Sequence, residues 1–494
     1  MLYQSTRDAF GGKVSSAAAI KQGLAADGGL FVPESVPTLT EAEILELCKD
    51  AYPVRAAKIL SKFLTDYTYE ELLADCEKAY SADSFRGGCA PLAEVKEGLS
   101  SLELWHGPTA AFKDMALQIM PRLLSRALVK CGEKRTALIL VATSGDTGKA
   151  ALEGYRDVDG VKIMVFYPVD GVSRVQKLQM ATQTGSNVNV CAIRGNFDDA
   201  QNGVKAIFAD EDAAKKMNDA GYFFSSANSI NWGRLAPQIV YYVSAYCDLL
   251  SAAKITLGEK VDFCVPTGNF GNIFAAYLAK LMGLPVGKLI CASNTNNILT
   301  DFLRTGVYDR NRHFHLTMSP SMDILISSNL ERLLYFTVGA EKTAEYMASL
   351  KNEGRYAIDA DTLSKINETF VGYYASEEET AATIRDTFEQ HKYLSDTHTA
   401  VALTCAEKYR AELGGAKQVV VDSTASPYKF AADVLCSLTG EKPREELSAL
   451  DTLSAHTKTE IAYPLKGLAE RKVNFDKVID AADMKKSVLE YVGI

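Results

Sequence analysis

Lys113 is the first candidate for chemistry in this 494-residue chain, within Glu103-Leu-Trp-His-Gly-Pro-Thr-Ala-Ala-Phe-Lys-Asp-Met-Ala-Leu-Gln118. Gly107, Pro108 and Thr109 mark a turn. The pattern after it predicts a helix from Asp114 to Arg126, with an acid in the first turn, where the helix dipole favours one. A lysine behind small and aromatic apolar residues can lose its water. Desolvation lowers its pKa from ~10.4 and leaves a neutral amine able to attack a carbonyl carbon. Taken alone, Phe112-Lys113-Asp114 is also the pattern of a surface lysine paired with Asp114, so partners elsewhere in the chain must distinguish the two.

Polar loops at the ends of apolar runs supply candidate partners. Thr143-Ser144-Gly145-Asp146-Thr147-Gly148 lies between a strand and a helix, and its N–H groups and hydroxyls suit a carboxylate or phosphate. It could equally be a helix cap. A nucleotide P-loop needs G-x-x-x-x-G-K-[ST]; here Thr143 stands at the first position and Ala150 at the last, so that reading fails. Pro266-Thr267-Gly268-Asn269-Phe270-Gly271-Asn272 follows a second strand. Its glycines let backbone approach one phosphate closely, although a structural turn has the same composition. It is not the dinucleotide fingerprint G-x-G-x-x-G. Ser225-Ser-Ala-Asn228-Ser229-Ile-Asn-Trp-Gly-Arg234 gathers amides, hydroxyls and a guanidinium that could hold a second phosphate through bonds of ~1.5–3 kcal/mol each, or could be a polar loop with a salt-bridged arginine. Val421-Asp-Ser-Thr424-Ala-Ser-Pro-Tyr-Lys-Phe430 offers a hydroxyl for a heterocyclic nitrogen, or a helix cap. His398, in Asp396-Thr-His-Thr-Ala400, reads as a structural partner rather than a base. His313-Phe-His315 is the one close histidine pair; no carboxylate or cysteine joins it at ligand spacing, so no metal site is expected.

The elements that must position these loops alternate. From about 100 to 235, continuous apolar strands (136–143, 161–167, 187–193, 222–226) are separated by helices, the pattern of a parallel sheet covered on both faces. A second such unit begins near Val261, includes 289–292, is interrupted by a helical stretch over about 300–390, and resumes with helix 399–412 and strand 418–422. Residues 1–95 read as mostly helical. The expected organisation is therefore a helical region over 1–95, an α/β domain over 96–240 carrying Lys113, and a second α/β domain over 241–494 that includes the helical insertion. Two such halves leave a crevice, and ligands sit outside the carboxyl ends of the strands.

Size allows roughly two to four domains. The net charge of −9 argues against nucleic acid as a partner. Ten cysteines without C-x-x-C read as buried thiols in a reducing cytosol. The N-terminus lacks a signal-like apolar segment, and no run of about 18 apolar residues suggests a membrane span. A cytoplasmic monomer or weak homo-oligomer acting on a small molecule, without membrane or nucleic-acid partners, is expected.

Taken in order, these stretches resemble the fold-type-II pyridoxal-phosphate enzymes and, within them, the longer branch of the threonine synthase family. Glu103 to Asp114 looks like that family's Schiff-base segment. The Ser144–Gly148, Gly268–Asn272, Asn228–Arg234 and Asp396–Ala400 loops also match, as do the opening Gly23-Leu-Ala-Ala-Asp-Gly-Gly-Leu-Phe-Val-Pro33 and Ser319-Pro-Ser-Met-Asp323. The likeness runs from about residue 3 to 430; after about 440 little matches.

The resemblance implies two α/β domains of the tryptophan-synthase-β-like kind, pyridoxal 5'-phosphate as cofactor, and conversion of O-phospho-L-homoserine and water to L-threonine and phosphate. It implies that Lys113 holds the cofactor and moves protons. Gly268, Asn269, Phe270, Gly271 and Asn272 would bind its phosphate, and Thr424 its ring nitrogen. Thr143, Ser144, Gly145, Asp146 and Thr147 would meet the substrate carboxylate and the ring hydroxyl; Asn228, Ser229 and Arg234 would hold the substrate phosphate. Asp146 departs from the asparagine that many relatives carry, and a carboxylate beside a phenolate repels it unless a proton is shared. A serine/threonine dehydratase is the nearest alternative; it needs no second phosphate site.

Overall fold

Two parallel sheets organise the computed structural model, which describes all residues except 9–10, 144, 171 and 415–417. The smaller sheet runs Val478–Asp480, Val188–Arg194, Val161–Pro168, Thr136–Ala142, Tyr222–Ser225, with every neighbouring pair parallel. The larger runs Phe370–Tyr374, Val286–Ser293, Val261–Pro266, Val419–Ser423, Leu99–Glu103, Leu92–Lys96, and only the last pair is antiparallel. Central strands such as Val261–Pro266 are buried along their whole length. Helices cover both faces, so these strands carry no polar face to water. The 20-residue helix Trp232–Ser251, buried almost throughout, packs against the N-terminal helix Tyr52–Phe63, the short helix Asp114–Leu117 and Gly271–Met282.

Sheets and chain segments do not coincide. The hairpin Leu92–Glu103 joins the larger sheet, although residues 96–240 otherwise build the smaller one. Residues 478–480 return to the edge of the smaller sheet. The stretch over 300–390 is not wholly helical: Phe370–Tyr374 extends the larger sheet in register with Leu289–Ser293. The regular elements of the N-terminal region are helices apart from the small pair Tyr3–Ser5 with Phe31–Pro33 and the strand Leu92–Lys96 at its end.

The single helix expected over 114–126 is two, Asp114–Leu117 and Met120–Lys130. Pro121 explains the break. It has no N–H to give, and in a continuous helix its ring would collide with the carbonyl four residues back, that of Leu117. The freed Leu117 carbonyl lies against the helix Asp146–Tyr155 at Gly154, where a Cβ would come 1.8 Å from that oxygen. Only glycine allows this approach, which draws the Lys113 segment against the helix that begins at Asp146.

Candidate active site

Lys113 is placed by a backbone clasp. Leu104 N–H donates to Ser423 O at 3.0 Å, Phe112 N–H to Thr424 O at 2.8 Å and Ser426 N–H to Ala110 O at 3.1 Å. Ala111 and Ala425 form an antiparallel bridge. The lysine loop is thus fastened to the carboxyl end of strand Val419–Ser423. Asp114 does not pair with Lys113. It turns back and accepts from Thr109 N at 2.8 Å and Thr109 Oγ1 at 2.7 Å, closing the turn, and burial raises its carboxyl to about 6. The Lys113 side chain, 11% exposed, reaches Asp146 Oδ2 at 3.4 Å and Ser321 Oγ at 3.3 Å. Burial lowers its pKa; Asp146 opposes this, and the charges of Lys429 and Arg234 lower it further. The surface-lysine reading of Phe-Lys-Asp is excluded by this burial and by the pairing of Asp114 with Thr109.

Asp146 opens its helix behind Gly145, whose φ of 139° suits glycine and where a Cβ would meet the Gln176 side chain at 2.4 Å. Asp146 Oδ1 accepts from Gln176 Nε2 at 2.7 Å and lies 3.2 Å from Lys429 Nζ. Burial alone would raise its pKa; Lys429, Lys113 and Gln176 outweigh that and hold it ionised, well below the usual carboxylate range. Lys429 is 1% exposed and also donates to Thr109 O at 2.8 Å.

Ser321 connects the amine to the glycine loop. Its N–H donates to His398 Nε2 at 3.1 Å, while His398 Nδ1 lies 2.8 Å from Asp396 Oδ2. His398 therefore carries its proton on Nδ1 and accepts at Nε2, orienting the serine rather than reacting. The Ser321 carbonyl faces Gly268, where a Cβ would come within 2.8 Å. One residue thus touches both Lys113 and the Gly268–Asn272 turn. Phe270, in the left-handed region at φ 62°, starts the helix Gly271–Met282 without any side-chain cap. The first N–H groups of an α-helix have no partner within it, so this uncapped end offers donors beside the amine. Asn269 O is fixed by Asn329, through its N–H at 3.0 Å and Nδ2 at 2.9 Å, and Gly268 O by Ser327 Oγ at 2.6 Å.

Arg234 is 5% exposed. Nη1 donates to Ala227 O at 2.8 Å, and among the described residues Nε has no hydrogen-bond partner and the guanidinium no carboxylate. A buried, uncompensated cation is costly unless an anion joins it. Asn228 is exposed and Ser229 half-buried; their hydrogen bonds stay within the loop, Asn228 Oδ1 accepting from Ser229 Oγ at 3.3 Å and Ile230 N at 3.4 Å. Thr143 Oγ1 accepts from Gly145 N at 3.0 Å and Gly148 N at 2.9 Å, shaping its loop, and Thr147 is half-buried. Ser144 lies outside the described residues. Of the three hydroxyls near residue 424, Ser423 Oγ is taken by Trp105 Nε1 at 3.0 Å and Thr399 Oγ1 at 3.1 Å, and Ser426 Oγ caps Tyr428 N at 3.3 Å. Thr424 is the one with no side-chain hydrogen bond among the described residues. The rings of His313 and His315 meet edge to face, and among the described residues no acidic, histidine or cysteine group is placed to hold a metal.

A dehydrated amine, an uncapped helix start one residue away and a spare hydroxyl at the facing strand end fit a phosphorylated pyridine aldehyde. The class so defined is the pyridoxal-phosphate-dependent enzymes of fold type II. Residues 101–424 match the family described as pyridoxal-phosphate dependent enzyme, and residues 2–80 the threonine synthase N terminus. The chain is 40% identical over 435 residues to human threonine synthase-like 1, covering 85% of this chain but 57% of that protein. It is 40% identical to threonine synthase of Pseudomonas aeruginosa, covering 85% of this chain and 87% of the relative. It superposes on the crystal structure of yeast threonine synthase with a TM-score of 0.89 at 34% identity, covering 99% of this chain and 98% of that one. The PLP-bound threonine synthase structure from Brucella melitensis gives 0.86 at 38% identity, covering 100% and 98%. The chain belongs to the threonine synthase family.

Lys429 and Gln176 escaped the sequence reading as site residues. Lys429 lies in Pro427-Tyr-Lys-Phe430, where nothing local distinguishes it from a surface lysine; a charge within an otherwise apolar run is the available signal. Gln176 sits on the helix Arg174–Ala181 with no motif around it.

Proposed function

We propose that this chain converts O-phospho-L-homoserine and water to L-threonine and phosphate, acting as a carbon–oxygen lyase on a phosphorylated substrate at the last step of threonine biosynthesis. The observation that carries this reading is Arg234, a buried guanidinium with no carboxylate partner among the described residues, within electrostatic reach of Lys113 and carried by a different element from the Gly268–Asn272 turn. One anion site serves a cofactor; a second needs a phosphorylated substrate.

Bound pyridoxal phosphate supplies a ring that takes up the charge left when a carbon beside it loses a proton. In this reading Lys113 Nζ would hold the cofactor and would take and return that proton, burial lowering its pKa. The N–H groups at Gly268, Asn269, Phe270, Gly271 and Asn272 would receive the cofactor phosphate, and the Thr424 hydroxyl would serve the ring nitrogen. Thr143, Ser144, Gly145 and Thr147 would hold the substrate carboxylate at a helix start whose N-cap residue, Gly145, has no side chain to cap it. Asp146 faces the ring hydroxyl with its charge compensated by Lys429. Arg234, with Asn228 and Ser229, retains the leaving phosphate, which is then placed to accept a proton from the attacking water. The ten cysteines are all unpaired, which supports a reducing, cytoplasmic setting; sedimentation would test the expected monomer or weak homo-oligomer. Among the described residues no helix is long and apolar enough to cross a membrane.

The deciding assay supplies O-phosphohomoserine and measures phosphate and threonine in equal amounts. Ammonia release from threonine, with no phosphate from phosphohomoserine, would place the chain with the dehydratases instead.

A further inference from the structure

Two buried amines face one carboxylate in this site, and they do so unequally. Asp146 Oδ1 has the short contacts: Gln176 Nε2 at 2.7 Å and Lys429 Nζ at 3.2 Å. Oδ2 has the long ones: Lys113 Nζ at 3.4 Å and Ser321 Oγ at 3.4 Å. Lys429 is fixed from its other side by the Thr109 carbonyl at 2.8 Å, within the same turn that delivers Lys113. Its side chain is wholly buried, more so than that of Lys113 at 11%. A buried ammonium pays a large desolvation cost unless it is paired, and Asp146 is the carboxylate that pairs it.

We propose that Lys429 is a positioning residue for the reactive amine: by saturating Asp146 at Oδ1 it keeps this carboxylate from clamping Lys113 as an ammonium, and so leaves Lys113 as a free amine for the cofactor aldehyde. The inference rests on Lys113 being the cofactor lysine. Remove the Lys429 charge, and among the described residues the cation left in contact with Asp146 is Lys113, whose proton it would then hold. The charged and titratable groups facing this cluster act in the same sense or are already engaged. Arg234 adds positive potential at Lys113, and His398 is already engaged by Asp396 and the Ser321 N–H. Asp114, which also feels Lys429, is tied to Thr109. Burial and the Lys429 charge both lower the pKa of Lys113, against Asp146, which raises it. A neighbouring opposite charge shifts a titrating group by ~1–3 units, so the balance is within reach of one substitution.

The test measures the pH at which the Lys113 amine becomes half reactive toward acetic anhydride in the full-length, cofactor-free protein, read by mass spectrometry on the peptide containing it. Lys429→Met should move that midpoint up by about 1–2 pH units. Asp146→Asn should move it down, and in that background Lys429→Met should raise the midpoint by less than it does alone, because the carboxylate it restrains is gone. A purely structural role for Lys429, or a charge acting on Lys113 independently of Asp146, would not give this coupling. An unmoved or lowered midpoint in Lys429→Met overturns the proposal. If Lys429→Met does not fold, the Asp146→Asn arm decides, and an unmoved or raised midpoint there overturns it. Borohydride reduction of the wild-type holoenzyme separates the two levels of inference. A pyridoxyl mass on a residue other than Lys113 defeats the assignment of the cofactor lysine; a pyridoxyl mass on Lys113 with an unresponsive midpoint defeats the role of Lys429 alone.

Discussion

Replacing Gly268 by alanine should weaken cofactor binding sharply while leaving the fold in place. A Cβ at residue 268 would stand 2.8 Å from the Ser321 carbonyl oxygen and 3.5 Å from Met322 Cα, against the 3.4 Å at which ordinary contact begins. The obstructing atom is backbone, so no side-chain rotation relieves it. The Ser321 segment is held by His398 through its N–H, and the loop at 268–269 by Ser327 and Asn329. Inserting a methyl group into such a packed contact costs ~1–3 kcal/mol. On the proposed role of this turn, the cofactor-free loop can relax away from Ser321, but holding the cofactor phosphate would require the tight geometry again. The strain should therefore appear in the dissociation constant for pyridoxal phosphate, raised about 5- to 150-fold at ~1.4 kcal/mol per factor of ten. Titrating the cofactor-free protein with pyridoxal phosphate by absorbance measures it. Gly271→Ala is the control, because its Cβ would meet side-chain ends rather than backbone, Asn329 Nδ2 at 3.3 Å and Gln238 Nε2 at 3.9 Å, and it should lose less affinity. Wild-type affinity in Gly268→Ala, or a larger loss in Gly271→Ala, would refute the claim that Ser321 braces the phosphate turn.

Arg234→Ala should lower kcat/KM for O-phosphohomoserine by about 10- to 100-fold or more, since one charge-assisted bond is worth ~1.5–3 kcal/mol; cofactor absorbance should persist, and unchanged kinetics would remove Arg234 from the substrate site. Arg332, fully buried, donates to Phe31 O, Ile230 O and Asn329 Oδ1. Arg332→Met strands these acceptors at ~1–3 kcal/mol each and should lower the melting temperature by several degrees. Burial raises the Asp422 carboxyl to about 7, with Tyr242 and Asn272 opposing. Between its ordinary 3.8 and that value the folded chain keeps a proton that the unfolded chain has lost, so this group's contribution to stability falls as pH rises through the interval and is level above it. Asp422→Asn should flatten the decline in melting temperature from pH 5 to 8; parallel curves for variant and wild type would contradict it.

The parallel sheets were legible because Thr136–Ala142 and Val261–Pro266 are unbroken apolar runs, the signature of strands covered twice, and the loops at their ends stood out by glycine and hydroxyl content. What the chain joins across distance was not legible. Lys113 and Ser321 are 208 positions apart, and no local pattern announces their contact or that of Asp146 with Lys429. The strand Val478–Asp480 is three residues long with one buried side chain; it is a strand because the edge of Val188–Arg194 has room for a partner. The break at Pro121 was visible in the residue itself, but the apolar periodicity runs through it and suggests one helix. The mixing of segments between sheets follows from the same cause: backbone pairing of Leu99–Glu103 with Val419–Ser423 leaves no trace in either stretch alone.

The strand Val419–Ser423 lies between Val261–Pro266 and Leu99–Glu103 in the larger sheet. An early hairpin must therefore wait, as the ribosome extends the chain, for a late segment to slot in beside it, and the loop bearing Lys113 takes its hold from the residues that follow directly. A nascent or prematurely ended polypeptide lacking this region would have most of its helices yet no anchored amine. The reactive centre comes into being only once residues 419–426 have been made and have paired with the earlier hairpin and the lysine loop.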